Sequence, residues 1–111
     1  MKVLALSIRT NVRETLVVLE ELNSGAREQT FPNTLTRCFR TIEHDARVVG
    51  LPAWAEFAKA AKDASADILR AEPMERLVER LTLAADLLRR AADEIEADRV
   101  PAAPASFETL A

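Results

Sequence analysis

The sequence predicts an all-α domain, an antiparallel up-down-up-down bundle of four helices. Three observations lead there. Ala, Leu, Glu and Arg, all strong helix formers, dominate the 111 residues. Only two glycines are present, too few for the positive-φ turns of a hairpin-rich β fold. Four segments carry apolar residues at steps of three and four, with short polar breaks between them. Hydrophobic residues at 49% and charged residues at 30% exclude a disordered composition, and no apolar run reaches the length of a membrane span. One chain of this length can bury one continuous core.

The first helix is expected from about Lys2 to Leu22, where Leu4, Ile8, Val12, Leu16, Leu19 and Leu22 share a face. Asn23-Ser24-Gly25 stops it, Gly25 being free to take the left-handed conformation after a helix end. The connection from Ala26 to Asn33 is polar, Pro32 suits a first helical turn, and Thr30 or Asn33 is the expected cap. The second helix is expected from about Pro32 to Val49. At about 100° per residue, Leu35, Phe39, Ile42, Ala46 and Val49 fall within roughly an 80° arc, which leaves Arg40, His44 and Arg47 on the opposite side.

Gly50 ends that helix and Leu51-Pro52 restarts the chain. A third helix, about Pro52 to Arg70, presents Trp54, Phe57, Ala58, Ala61, Ala64 and Ile68, its alanines permitting close helix approach. Pro73 opens a fourth, about Met74 to Ala97, with Leu77, Leu81, Ala84, Leu88, Ala91 and Ile95 as its stripe and Val78 and Leu87 at the edges. Residues 1–98 thus form the bundle. Residues 99–111 form a flexible Pro/Ala-rich tail or linker, in which Phe107 is expected to be exposed.

A net charge of −3 offers no basic surface for nucleic acid or anionic lipid. The single cysteine, Cys38, has no partner for an internal disulfide, which favours a reducing compartment. The stretch Val3–Ile8 is too short, and too soon followed by Arg9, for a secretory signal. A cytoplasmic location is the expectation. One histidine and dispersed carboxylates lack metal-ligand spacing, and neither a Gly-rich phosphate loop nor a nucleophile elbow occurs. No metal, cofactor or self-contained enzymatic activity is expected. Cys38 reads as packing near the core boundary and Trp54 and Phe57 as core anchors. Arg89-Arg90 with Asp93, Glu94 and Glu96 reads as the ordinary charged side of the fourth helix.

From Thr36 to Leu51 the chain reads T-R-C-F-R-T-I-E-H-D-A-R-V-V-G-L. This stretch, continued to Asp63, resembles the histidine-containing phosphotransfer (HPt) domain, especially the type that begins chemotaxis histidine kinases. That family carries its phosphohistidine in a segment of the form F-R-A-A-H-T-L-K-G-S-A-x-x-x-G-L, followed by a third helix. Arg37, Thr41, Ala46, Gly50 and Leu51 match it without a gap, and Ile42 is a conservative replacement. In this register the phospho-accepting histidine falls on Arg40, the lysine three residues later on Glu43, and the glycine after that on His44. Lys59 and Lys62 occupy places where the family often has His and Glu.

The resemblance implies two-component signalling, with a response-regulator receiver domain or a histidine kinase as partner. A phosphoryl acceptor needs a free nitrogen lone pair, which imidazole supplies near neutral pH; a guanidinium offers donors only. The expected reading is therefore a degenerate module that docks such a partner without accepting phosphate, through a face of Arg37, Arg40, Glu43, His44 and Arg47. Acceptance by His44, one turn beyond Arg40, is an alternative, with Arg47 standing in for the family's lysine. A purely structural dimerisation bundle is another. Oligomeric state stays open at this level.

Overall fold

A computed structural model describes residues 2–110. Among them lie four α-helices: α1 (Lys2–Asn23), α2 (Phe31–Val48), α3 (Pro52–Ser65) and α4 (Met74–Glu96). A single 3-10 turn occupies Ile68–Arg70, and the described residues contain no strand. The all-α four-helix bundle expected from periodicity is the observed fold. Cross-helix bonds give the directions. Ser7 and Glu14 of α1 meet Asp45 and Arg37 of α2 in reverse order. Glu43 and Arg47 of α2 likewise meet Lys62 and Glu56 of α3. Arg9, near the start of α1, pairs with Asp93 and Glu96 near the end of α4. Each of these contacting pairs runs antiparallel.

The core follows the apolar stripes. Leu4, Ile8, Val12, Leu19 and Leu22 of α1, and Leu35, Phe39, Ile42 and Ala46 of α2, are buried. So are Val78, Leu81, Ala84, Leu88, Ala91 and Ile95 of α4. Full burial of one such Leu, Ile or Phe stabilises by about 1.5–3 kcal/mol. Ala55, Ala58 and Ala61 have no exposed surface, and their small side chains let α3 lie close against α2. Leu16 is only half-buried, because Thr15 and Val18 take core positions on its turn of α1.

Helix ends use one device three times. After α1 the N–H of Ala26 reaches Glu21 O and that of Gly25 reaches Leu22 O, with Gly25 at φ +99°. After α2 the same pair of bonds joins Leu51 to Ala46 and Gly50 to Arg47, with Gly50 at φ +83°. After α4 it joins Arg99 to Glu94 and Asp98 to Ile95, with Asp98 at φ +60°. These are Schellman closures, which satisfy carbonyls that the helix end would leave bare.

Several boundaries and exposures differ from the sequence reading. Helix α3 stops at Ser65, and Ile68 reaches the core from the separate 3-10 turn. Thr30 precedes α2 in a helical backbone conformation and its side chain caps nothing, while Asn33 lies within the first turn. Val49 falls outside the helix as the chain bends toward Gly50, and it is 38% exposed instead of packed. Phe107 is the largest departure: expected exposed, it is 2% exposed. Helices α3 and α4 touch little, and residues 101–110 run along the seam between them. Trp54 Nε1 donates to Pro101 O at 2.8 Å, and Phe107 packs edge-on against Phe57 with centroids 6.3 Å apart. Two bulky aromatic rings on α3 that α4 leaves uncovered give the tail's phenylalanine an apolar seat.

Candidate functional site

The outer face of α2 exists because its apolar residues turn inward, leaving Arg40 and His44 pointing to solvent one helical turn apart. Among the described residues, neither forms a salt bridge or a side-chain hydrogen bond. An open groove lies beside Arg40, lined by Pro32, Asn33, Thr36 and Arg40 of α2 together with Lys62 and Asp63. Of the charges lining it, Lys62 is engaged by Glu43, which leaves the Arg40 guanidinium and the Asp63 carboxylate without an ion pair among the described residues.

The other three residues of the expected face are drawn aside by neighbouring helices. Arg37 pairs with Glu14 and leans toward α1. Arg47 bridges Glu43 at 3.1 Å and Glu56 of α3 at 3.3 Å. Glu43 turns into the α2–α3 groove, where its side chain is 14% exposed and accepts a hydrogen bond from Lys62 Nζ at 3.0 Å. Partial burial raises the Glu43 carboxyl's pKa, but the hydrogen bonds from Lys62 and Arg47 outweigh it and hold the group below its ordinary value. Asp45, beside His44 in sequence, is bonded to the Ser7 hydroxyl of α1 at 2.6 Å. His44 is therefore flanked by carboxylates in the sequence, yet both of them are engaged by other groups.

The chain matches no family model, no curated protein and no solved structure. Its side chains carry the functional argument alone. Lys62, Glu56 and Ser7 complete the face, and of these only Lys62 stood out in the sequence. Pairing across antiparallel helices depends on register, which periodicity within one helix does not encode.

Outside this face, the groove between α1 and α4 gathers Arg9, Arg13, Arg89 and Arg90 over Val12 and Leu16. Carboxylates cross-link most of it: Arg9 to Asp93 and Glu96, and both Arg89 and Arg90 to Asp86. Cys38 has no exposed surface, and burial pushes its thiol up, with the Thr15 hydroxyl opposing, so it stays protonated at neutral pH. Among the described residues, no three His, Cys, Asp or Glu side chains gather as metal ligands. Among the described residues, no helix is long and apolar enough to cross a membrane.

Proposed function

We propose that the protein is an HPt-like docking module of cytoplasmic two-component signalling, which binds a receiver domain or a histidine kinase through Arg40 and its surroundings without accepting phosphate. The observation that carries the reading is an outward, unpaired guanidinium at the position where the resembled family displays its imidazole. Arginine stays protonated and has no lone pair to offer a phosphoryl group, but it presents a fork of donors that suits a carboxylate pocket.

A second observation supports the register. The resembled family has lysine where Glu43 stands and often glutamate where Lys62 stands. Here the two residues meet across α2 and α3 with their charges exchanged. A charge pair reversed at both ends keeps the same helix contact while changing the chemistry of the face.

The test is binding of the full chain to a panel of receiver domains, followed by calorimetry. Arg40→Ala should weaken binding at least tenfold at low salt, and incubation with phosphorylated receivers should leave no acid-labile label on the chain. Unchanged binding by Arg40→Ala, or no binding to any receiver or kinase, would remove the reading.

Phosphotransfer through His44 is the second reading, favoured by its exposure and by the capture of Glu43 and Asp45 by other groups. Against it, Arg47 is committed to Glu43 and Glu56 and is not free to balance phosphoryl charge. An acid-labile label that disappears in His44→Gln would establish this reading in place of docking.

A further inference from the structure

The tail carries a small, self-organised unit. The Ser106 hydroxyl donates to the Glu108 carboxylate at 2.6 Å and accepts the Glu108 N–H at 3.2 Å. The Thr109 hydroxyl returns to Ser106 O at 3.0 Å, and the Leu110 N–H reaches Phe107 O at 3.2 Å. One turn is closed by its own bonds. It brings Phe107 and Leu110, three residues apart, against the bundle.

The seat for this turn is made by α3 and α4. Phe57 meets the Phe107 ring edge-on, and the Arg80 guanidinium lies 5.9 Å from that ring's centroid. Arg80 Nε donates to Leu110 O at 3.2 Å and Trp54 Nε1 to Pro101 O at 2.8 Å. Ala53 and Ala60 leave open space beside the ring. From the turn itself the seat thus reads one aromatic side chain and one backbone carbonyl, a division found in peptide-recognition grooves, while the Trp54 bond holds the approach at Pro101. Nothing in these contacts requires the turn to come from the same chain.

We propose that the α3–α4 seam is a recognition groove for the turn at residues 106–110, and that it accepts this turn from a second copy of the chain as well as from its own. The reach is available. Once the Trp54–Pro101 bond opens, the stretch from Asp98 to Phe107, nine positions along the chain, spans up to about 30 Å when extended, while the molecule is 24 and 18 Å across its two shorter axes. The turn's contacts with Phe57 and Arg80 made in exchange are those already made within one chain, so exchange is governed by concentration and by the tether.

The test has two parts, and the proposal needs both. The full-length Phe107→Ala protein is titrated with a fluorescein-labelled peptide of residues 99–111, followed by anisotropy and by the emission of Trp54, the only tryptophan. Saturable binding is expected, at least tenfold tighter than for a peptide carrying the same substitution. Binding to the wild-type protein is expected to be weaker, because its own tail competes. Sedimentation of the wild type from micromolar to millimolar concentration is expected to show a growing dimer that Phe107→Ala abolishes. Equal or absent binding of the two peptides, or a wild type that stays monomeric at 1 mM, would overturn the proposal. Should Phe107→Ala fail to fold by circular dichroism, the preference of the wild-type protein for the unsubstituted peptide decides the first part.

Discussion

Lys62 Nζ lies 3.0 Å from Glu43 Oε1, joining α3 to α2 in a groove where 22% and 14% of the two side chains are exposed. The carboxyl is held below its ordinary pKa despite partial burial, so it favours the folded state when ionised. A lowered folded pKa gives a contribution that is complete above the unfolded value of about 4.3 and is lost as pH falls through the folded one. Urea unfolding at pH 7 and below pH 4 should therefore show acid destabilisation that is smaller in Glu43→Gln. At pH 7 that substitution should cost about 1 kcal/mol. Glu43→Lys and Lys62→Glu should each destabilise, and the double variant should recover most of the loss, a coupling that a double-mutant cycle reads directly.

That pair also sets a condition on restoring phosphate acceptance. Arg40→His, Glu43→Lys and His44→Gly together reproduce the resembled signature, but Glu43→Lys would set two ammonium groups across the α2–α3 groove. The quadruple variant that adds Lys62→Glu should take acid-labile label from a phosphorylated receiver more efficiently than the triple variant. His44→Gly sits within α2 and should lower stability by about 1 kcal/mol, so both variants need checking by thermal melting.

Thr15 and Cys38 share the α1–α2 core with no exposed surface. The Thr15 hydroxyl meets the thiol but makes no hydrogen bond of ordinary geometry, which leaves a buried polar group unsatisfied. Thr15→Val keeps the shape and removes that group, and should raise stability by about 1 kcal/mol in urea melts. Cys38 in the native protein should react with a thiol reagent at pH 8 only as fast as the protein opens; immediate stoichiometric labelling would contradict its burial.

Asp98 holds φ +60° at the end of α4, in the role that Gly25 and Gly50 play after α1 and α2. A side chain is strained there and glycine is not. Asp98→Gly should therefore stabilise by about 0.5–1 kcal/mol, whereas Gly25→Ala and Gly50→Ala should each destabilise. Thermal denaturation of the three variants checks the expectation. A loss of stability in Asp98→Gly would mean that its side chain contributes more than its backbone costs.

Periodicity and capping made the four helices legible from the residues alone. Leu35, Phe39, Ile42 and Ala46 turn inward and Arg40 and His44 outward, as their spacing along α2 requires. Gly25 and Gly50 close the helices they were expected to close. These features depend on neighbours within a turn or two of chain, which a string of residue types specifies.

Phe107, Glu43 and Val49 were decided elsewhere. The expected exposure of Phe107 gave way to Phe57 and Arg80, contributed by two other segments. Glu43, placed on an open face by its angle around α2, was drawn into a groove by Lys62, whose proximity follows from antiparallel register. Val49 kept its helical angle in projection only, because α2 ends before it. Local rules state which way a side chain leaves its helix. What it meets there depends on how distant segments pack, and a one-dimensional pattern carries no measure of that distance.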